Sequence, residues 1–381
     1  MKYNFPKIQT IEDILPHVHN RDEFIVAERE FGTVINYVVS MKETFDMSGP
    51  DDLSGAIRRE CRGIIFDKAG NLVSRPFHKF FNINEREETQ GRDIDMSRPH
   101  TIMEKMDGSM IRPLMLNGVT RLATKMGVTE VAVQAEEYMR TRPNYQLELL
   151  WLENCIKIGV TPLFEFVAPN NQIVIGYESA DLVLLAIRHN LSGNYLGVQN
   201  STPSSFTQVS TYGSVDGSLD DYVAEHRNDQ GREGFIISFD GEMYKGKNDW
   251  YVKIHKCLER IRFDRNIVAL ILAENLDDAV GLLPVVEANR VRVFELKFAE
   301  RLHYLIDNYN QYWNTVIASG LDRKSYAQEW MPAIKNNDPF AAAYVFGRFN
   351  GKDGREMVLQ HIEKHLSTNV KWDTCAIWMG M

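Results

Sequence analysis

A change of texture near residue 255 constrains this chain more than any other feature. Before it, short runs rich in β-branched and aromatic residues alternate with turn signals. Ile64-Ile65-Phe66, Thr161 to Phe166, Ile173-Val174-Ile175, Leu182 to Ile187 and Phe235 to Phe239 read as strands. Asp67-Lys68-Ala69-Gly70-Asn71 and Asp240-Gly241 supply turns between them. Val128 to Arg140 and Leu147 to Ile158 carry helical pattern, and the polar stretch Asn200 to Val215 reads as a long surface loop. After residue 255, Val285 to Ser319 keeps apolar residues at three-and-four spacing over one long stretch. Arg265 to Leu282, Ser325 to Lys335 and Gly354 to Leu366 read as shorter helices. Asp353 or Gly354 starts the last of these, and Ser367-Thr368-Asn369 lies beyond its end. A chain of 381 residues exceeds the usual single-domain size. The expectation is an α+β domain over residues 1–255 and a smaller all-α C-terminal domain over 256–381.

Hydrophobic content of 44% and charged content of 25% fit a globular protein. No apolar stretch approaches the ~20 residues of a membrane span, and the opening residues lack a secretory pattern. A cytoplasmic location without membrane partners is therefore expected. Cys61, Cys155, Cys257 and Cys375 lie far apart and form no metal spacing, as expected for reduced thiols. Of 43 basic and 52 acidic residues, 16 of each lie from Lys256 onward, so the net charge of -9 belongs wholly to the first 255 residues. No Lys/Arg tract marks a general grip on polyanions. Contacts to nucleic acid would have to come from local clusters such as Arg58, Arg59 and Arg62, or Arg260, Arg262 and Arg265. A solvated face explains either cluster equally well.

Chemistry enters at Lys105-Met106-Asp107-Gly108-Ser109. A lysine two residues before Asp-Gly can hold an amine nucleophile against a nucleotide phosphate. Gly108 would let the backbone turn tightly, and Asp107 could steer the amine or hold metal-bound water. Taken alone the run is a weak signal, because a surface turn reads the same way. Other segments surround it in a fixed order: Glu60-Cys61-Arg62-Gly63, Ser74-Arg75-Pro76 and Lys79-Phe80-Phe81-Asn82 before it. Phe164-Glu165-Phe166-Val167-Ala168-Pro169, Arg232-Glu233-Gly234-Phe235 and Tyr244-Lys245-Gly246-Lys247-Asn248-Asp249-Trp250-Tyr251 come after it.

This order resembles the covalent nucleotidyltransferase superfamily, and more closely the RNA ligase 1 family of tailed bacteriophages. ECRGIIFD, SRPFHKFFNINE, FEFVAPNNQIV and KNDWYV carry the resemblance, which runs through most of residues 30–255. It implies an antiparallel-sheet adenylylation domain followed by the helical one. The implied activity is ATP-dependent joining of a 5′-phosphate to a 3′-hydroxyl of RNA. Lysyl-adenylate and RNA-adenylate are its intermediates, with Mg2+, or Mn2+ in its place, beside ATP. Family members repair tRNA broken in the anticodon loop, so such RNA ends are the implied partner, with no protein partner implied. If phage-encoded, the chain would work in the host-cell cytoplasm.

By the same resemblance, Lys105 is the nucleophile. A free lysine is neutral about once in 2,500 at pH 7, so nearby positive charge from Lys245, Lys247 or a metal would be needed. Lys245 and Lys247 alternate on a strand and would contact the α-phosphate. Gly246 stands between them where the family more often has an apolar residue, which could loosen that strand. Val252-Lys253-Ile254-His255-Lys256 imitates the same motif without its flanks. Glu165 would engage ribose or metal water, and Glu233 metal water, with Asp107 joining them. Arg62 and Lys79 would take phosphate oxygens, supported by Phe81 and less securely by Lys125. Tyr251 and Phe166 are candidates to pack near adenine or to be core, and Tyr37 falls where the family has a nucleotide-contacting aromatic. Asp277, in Leu276-Asp277-Asp278-Ala279, would belong to a second cation site unless it is a helix-terminus pair. Tail aromatics Tyr309, Tyr312, Trp313 and Trp330 would stack on bases or, more often, pack a core. Two readings compete with the ligase. One is a capping guanylyltransferase or DNA ligase, both of which usually continue into a β-rich domain. The other is a non-catalytic RNA-binding protein on a ligase scaffold.

Overall fold

A computed structural model describes residues 4–41, 43–197, 202–203, 205–215 and 217–381. The chain divides into two compact units, Met1–Val252 and Lys253–Met381.

The first unit is built from three sheets. Phe24–Arg29, Gly32–Tyr37, Arg62–Phe66 and Leu72–Ser74 form one, in chain order and antiparallel throughout. A five-stranded antiparallel sheet runs Tyr195–Leu196, Asp181–His189, Val160–Val167, Ser109–Leu116, Val119–Ala123. The third runs Phe81–Asn82, Glu242–Lys247, Gly234–Phe239, Thr101–Lys105, with only its first pair parallel. The antiparallel architecture expected from the resemblance is thus borne out. Helices Glu130–Thr141 and Tyr145–Lys157 cover one face of the five-stranded sheet. Thr129 caps the first through its hydroxyl, and Ala132, Ala135 and Met139 recur at helical spacing to pack on Ile111, Phe164 and Leu182.

Helix Leu53–Glu60, capped by the Asp52 carboxylate, delivers a fully buried carboxylate at its end. Glu60 accepts from Arg75 Nε at 3.1 Å and from both terminal nitrogens of Arg188 at 2.7 and 2.9 Å. Arg75 also donates to the carbonyls of Asn190 and Pro6, and Arg188 to that of Gly193. The three charges join the end of the first sheet, the second sheet and the segment leading into the third. Sequence reading missed this network, because its members lie up to 128 positions apart.

Several expected elements differ. Ile173-Val174-Ile175 is not a strand but a bent segment after the short turn Pro169–Asn171. Its backbone N–H groups serve a side chain described below. Residues 200, 201 and 204 of the expected loop lie outside the described residues. The rest of it is not simply surface. Thr207 and Val209 hydrogen-bond to Leu184, Ser210 accepts from Glu104, Tyr212 donates to Ile102, and Phe206 is buried.

The second unit is all helical, as expected. Val285–Ala318 is one continuous helix of 34 residues, about 50 Å long. Its buried residues Val291, Phe298, Leu305, Tyr309 and Val316 form a single stripe. Pro339–Phe349, Gly354–His365 and Asn369–Met379 pack around it. Arg265 to Leu282 is two helices, Asp264–Leu272 and Leu276–Val280, because Glu274 takes a left-handed conformation between them. Ser325 to Lys335 is interrupted by a π-turn at Tyr326–Trp330. Asp353 does cap Gly354–His365, whereas Thr368 caps the next helix, which the apolar spacing did not reveal. Tyr309 is core, its hydroxyl donating to Asp338 and accepting from Trp378. Tyr312, Trp313 and Trp330 also pack inward. Among the described residues no helix is long and apolar enough to cross a membrane. All four cysteines are buried free thiols.

Burial alone would raise the Glu60 carboxyl, but Arg188 and Arg75 outweigh it and hold it at about 2. Its stabilising effect is therefore complete above the ordinary carboxylate range and is lost as pH falls toward 2. Glu60→Gln should cost about 3–5 kcal/mol in denaturant unfolding at pH 7, since it strands two buried guanidiniums, and the gap should close in acid. A variant within 1 kcal/mol of wild type would contradict this account of the network.

Candidate active site

Lys105 ends strand Thr101–Lys105 opposite Gly234, and Gly234 in turn stands opposite Lys247. Lys245 is two residues before Lys247, so the alternation of a strand puts all three lysines on one face. Glu233, buried and just ahead of its strand, reaches onto that face. Its Oε1 lies 2.5 Å from Lys105 Nζ and 3.0 Å from Lys247 Nζ. One carboxylate thus spans the lysine of the Lys-Met-Asp-Gly run and one lysine of the later pair. Gly246 does not loosen the strand: the Phe235 ring occupies the place where a Cβ would stand, 2.3 Å from its nearest atom.

Gly108 is needed for close approach and not for a left-handed turn. A Cβ there would lie 2.4 Å from the Phe166 carbonyl and 3.0 Å from Glu165 Cγ. This brings the turn after Lys105 against the strand that carries Glu165. Burial pushes the Glu165 carboxyl up to about 8, with Lys105 pulling it down and Glu233 pushing it further up. Burial likewise pulls Lys245 down to about 7, helped by the charges of Arg62, Lys79 and Lys105. The surroundings of Lys245 therefore loosen its proton.

Asp107 has partners that the sequence did not show. It is buried, and its Oδ2 accepts from the backbone N–H groups of Val174 and Ile175, both at 2.7 Å. Its Oδ1 accepts from the Tyr251 hydroxyl at 2.7 Å. Three protein donors thus reach its two oxygens, and Asp107 braces the turn after Lys105. It ties the bent segment 173–175 and the start of helix Asp249–Ile261 to the Lys105 turn. Tyr177, whose hydroxyl accepts from the Asp107 N–H, and Asn171, which bonds Ser109 and the Phe166 carbonyl, complete the brace. Both went unread, although the block FVAPNNQIV contains or borders them.

Lys79 sits among three rings, 5.0 Å from that of Tyr37, 5.4 Å from Phe45 and 5.3 Å from Phe81. Burial alone would raise the Tyr37 phenol, yet Lys79, Arg62 and Lys125 together lower it. Those cations therefore share one neighbourhood, with Lys125 in an exposed turn. Phe81 and Phe166 are core residues, and Tyr251 is buried beneath the Lys247 ammonium at 5.1 Å. Asp277 belongs to the second unit. It is exposed, in the first turn of its short helix, and pairs with Arg292.

Arg62, Lys79, Lys105, Lys245 and Lys247 outnumber Glu165 and Glu233, so the arrangement suits a polyanion. Among the described residues no three carboxylate, histidine or cysteine side chains converge as a metal cage. Glu165 and Glu233 offer hard oxygen donors that fit a magnesium-type ion arriving on phosphates and keeping its water.

A family model described as RNA ligase matches residues 60–255, just over half of the chain, and the chain belongs to that family. It is 28% identical over 283 residues to RNA ligase 1 of bacteriophage TS2126, covering 72% of this chain and 69% of that one. It is 32% identical over 188 residues to a Thermovibrio ammonificans protein named "Putative RNA ligase", covering 49% of this chain. There the match spans 47% of the relative, about half its length. Among solved structures, an archaeal ATP-dependent RNA ligase aligns at a TM-score of 0.43 and 14% identity, over 70% of this chain and 69% of the other. The family resemblance read from the motifs is borne out.

A cationic Lys245 attracts phosphate only below about pH 7, and Glu165 becomes anionic only above about pH 8. Wild type should bind pyrophosphate about tenfold more tightly than Lys245→Met at pH 6, with the ratio shrinking toward one by pH 9. Titration calorimetry at matched pH cancels the ligand's own ionisation. A ratio independent of pH would contradict the assigned electrostatics.

Proposed function

We propose that this protein is an ATP-dependent RNA ligase, with chemistry in residues 1–255 and substrate selection in residues 256–381. The observation that carries the reading is the Glu233 carboxylate bridging Lys105 and Lys247 beside Arg62, Lys79 and Lys245. Lys105 Nζ attacks the α-phosphorus of ATP, forming a P–N bond as pyrophosphate leaves. Glu233, at 2.5 Å, is placed to take the departing ammonium proton. Lys245 and Lys247 stabilise charge on the α-phosphate, while Arg62 and Lys79 hold the outer phosphates. The 5′-phosphate of an RNA then displaces Lys105 from the adenylate. A 3′-hydroxyl finally attacks that activated phosphate, and AMP leaves. Glu165 and Glu233 would hold magnesium, or manganese in its place, which would supply charge neutralisation on the phosphates. Tyr37 flanks the nucleotide. Asp107 acts by holding the Lys105 turn in place.

Broken tRNA with a cut anticodon loop is the substrate proposed, selected by the helical unit. Arg260 and Arg262 are the basic residues there best suited to phosphate. Arg265, Arg290 and Arg292 are engaged by Asn369, Glu287 and Glu295 within that unit. The helical tail favours a ligase over a capping enzyme or DNA ligase, which usually continue into a β-rich domain. The proposed cation site at Asp277 would require displacing Arg292.

Full-length protein should become labelled by ATP but not GTP. It should also seal a nicked anticodon stem-loop faster than an unstructured RNA. A chain ending near Lys256, confirmed folded by circular dichroism, should keep ATP labelling and lose that preference. GTP labelling would favour the capping reading, absence of labelling the non-catalytic one, and an unchanged preference would rule out selection by the tail.

A further inference from the structure

Arg112 has no place in the scheme above, yet its environment is unusual. It lies on strand Ser109–Leu116, just beyond Gly108, and is fully buried. One terminal nitrogen donates to the carbonyl of Gly63, the residue after Arg62. Its Nε and other terminal nitrogen are enclosed and meet no acceptor. No carboxylate among the described residues pairs with it. Arg75 and Arg188 show how this unit satisfies a buried guanidinium, each with the Glu60 carboxylate and backbone carbonyls. Arg112 has one carbonyl and no counter-ion, which is strongly unfavourable for a buried charge.

Its position indicates what could offset that cost. Met110, on the same face of the strand, packs against the cluster that holds Phe80 and Met243, and Leu114 clusters with Val34 and Ile65. Arg112 therefore stands between them, on the face of its sheet turned toward the other two sheets. Burial, and then repulsion from Arg62, bring the guanidinium down to about 9, so it remains charged at neutral pH. Its electrostatic neighbour is thus a cation that itself belongs to the proposed phosphate site.

We infer that Arg112 is a positioning cation for the phosphate chain of the nucleotide, its charge balanced only when phosphates occupy the cleft beside Arg62. The inference rests on the nucleotide-binding reading above. Arg112 acts without touching the ligand. Its hydrogen bond fixes the Gly63 backbone from which Arg62 projects, and its field adds to that of Arg62 across low-dielectric protein. Both effects matter only when an anion is present, so the free protein bears the cost of an unpaired charge and the bound one recovers it.

This gives a signature that a structural arginine would not produce. Full-length R112M should melt at or above the wild-type temperature without ligand, because an apolar side chain of similar length removes the uncompensated charge. The same protein should bind pyrophosphate about tenfold more weakly and adenosine unchanged. R112K, which restores a cation, should recover most of the pyrophosphate affinity at pH 6. Scanning calorimetry and isothermal titration give all three readings. R112M that melts well below wild type or fails to fold would mark Arg112 as structural and overturn the inference. Pyrophosphate affinity within twofold of wild type, or R112K as weak as R112M, would also overturn it. Wild type binding neither adenosine nor pyrophosphate would instead remove the nucleotide-binding reading itself, and this inference with it.

Discussion

The site depends on one buried carboxylate that takes no part in the proposed chemistry. Glu60 holds Arg75 and Arg188 where no water reaches any of the three side chains. Two charges against one would be intolerable there without further acceptors, and the carbonyls of Pro6, Asn190 and Gly193 supply them. The network fixes the chain at Arg75, from which Pro76 to Asn82 runs on toward the third sheet. Lys79 and Phe81 are carried on that run, and Arg62 follows Glu60 by two residues. The cations proposed for phosphate are therefore placed by a network anchored behind them.

Within this frame the site is a controlled excess of positive charge. Glu233 pairs with both Lys105 and Lys247, and Glu165 is pushed toward its neutral form by burial. Lys245 meets the crowding by giving up its proton more easily. An incoming triphosphate would offset the excess positive charge of the lysines. Electrostatic discomfort in the free protein thus translates into affinity for the phosphate chain.

Much of this was legible in the sequence because strands have a period of two. Lys245 and Lys247 at that spacing had to share a face, whereas Lys105 and Glu233 join them through strand pairing that only the fold shows. Brackets that depend on chain return were not legible. Nothing in Ile173-Val174-Ile175 says that it bends back to donate two N–H groups to Asp107, so it read as a strand and its tie to Asp107 went unread. Gly246 read as a weakness, because its reason is the Phe235 ring on the neighbouring strand. In the tail, the long apolar stripe of Val285–Ala318 was plain, whereas Asn369–Met379 buries only Trp372, Cys375 and Met379 and gave no clear period.

The most direct measurement of the central claim is the intact mass of the protein after incubation with ATP and magnesium. One AMP should be added to wild type, and peptide mapping should place it on Lys105. The Lys105→Ala protein, folded as judged by circular dichroism, should gain nothing. Retention of AMP on that variant would contradict the account, as would an adenylate mapped to Lys245, Lys247 or Lys253.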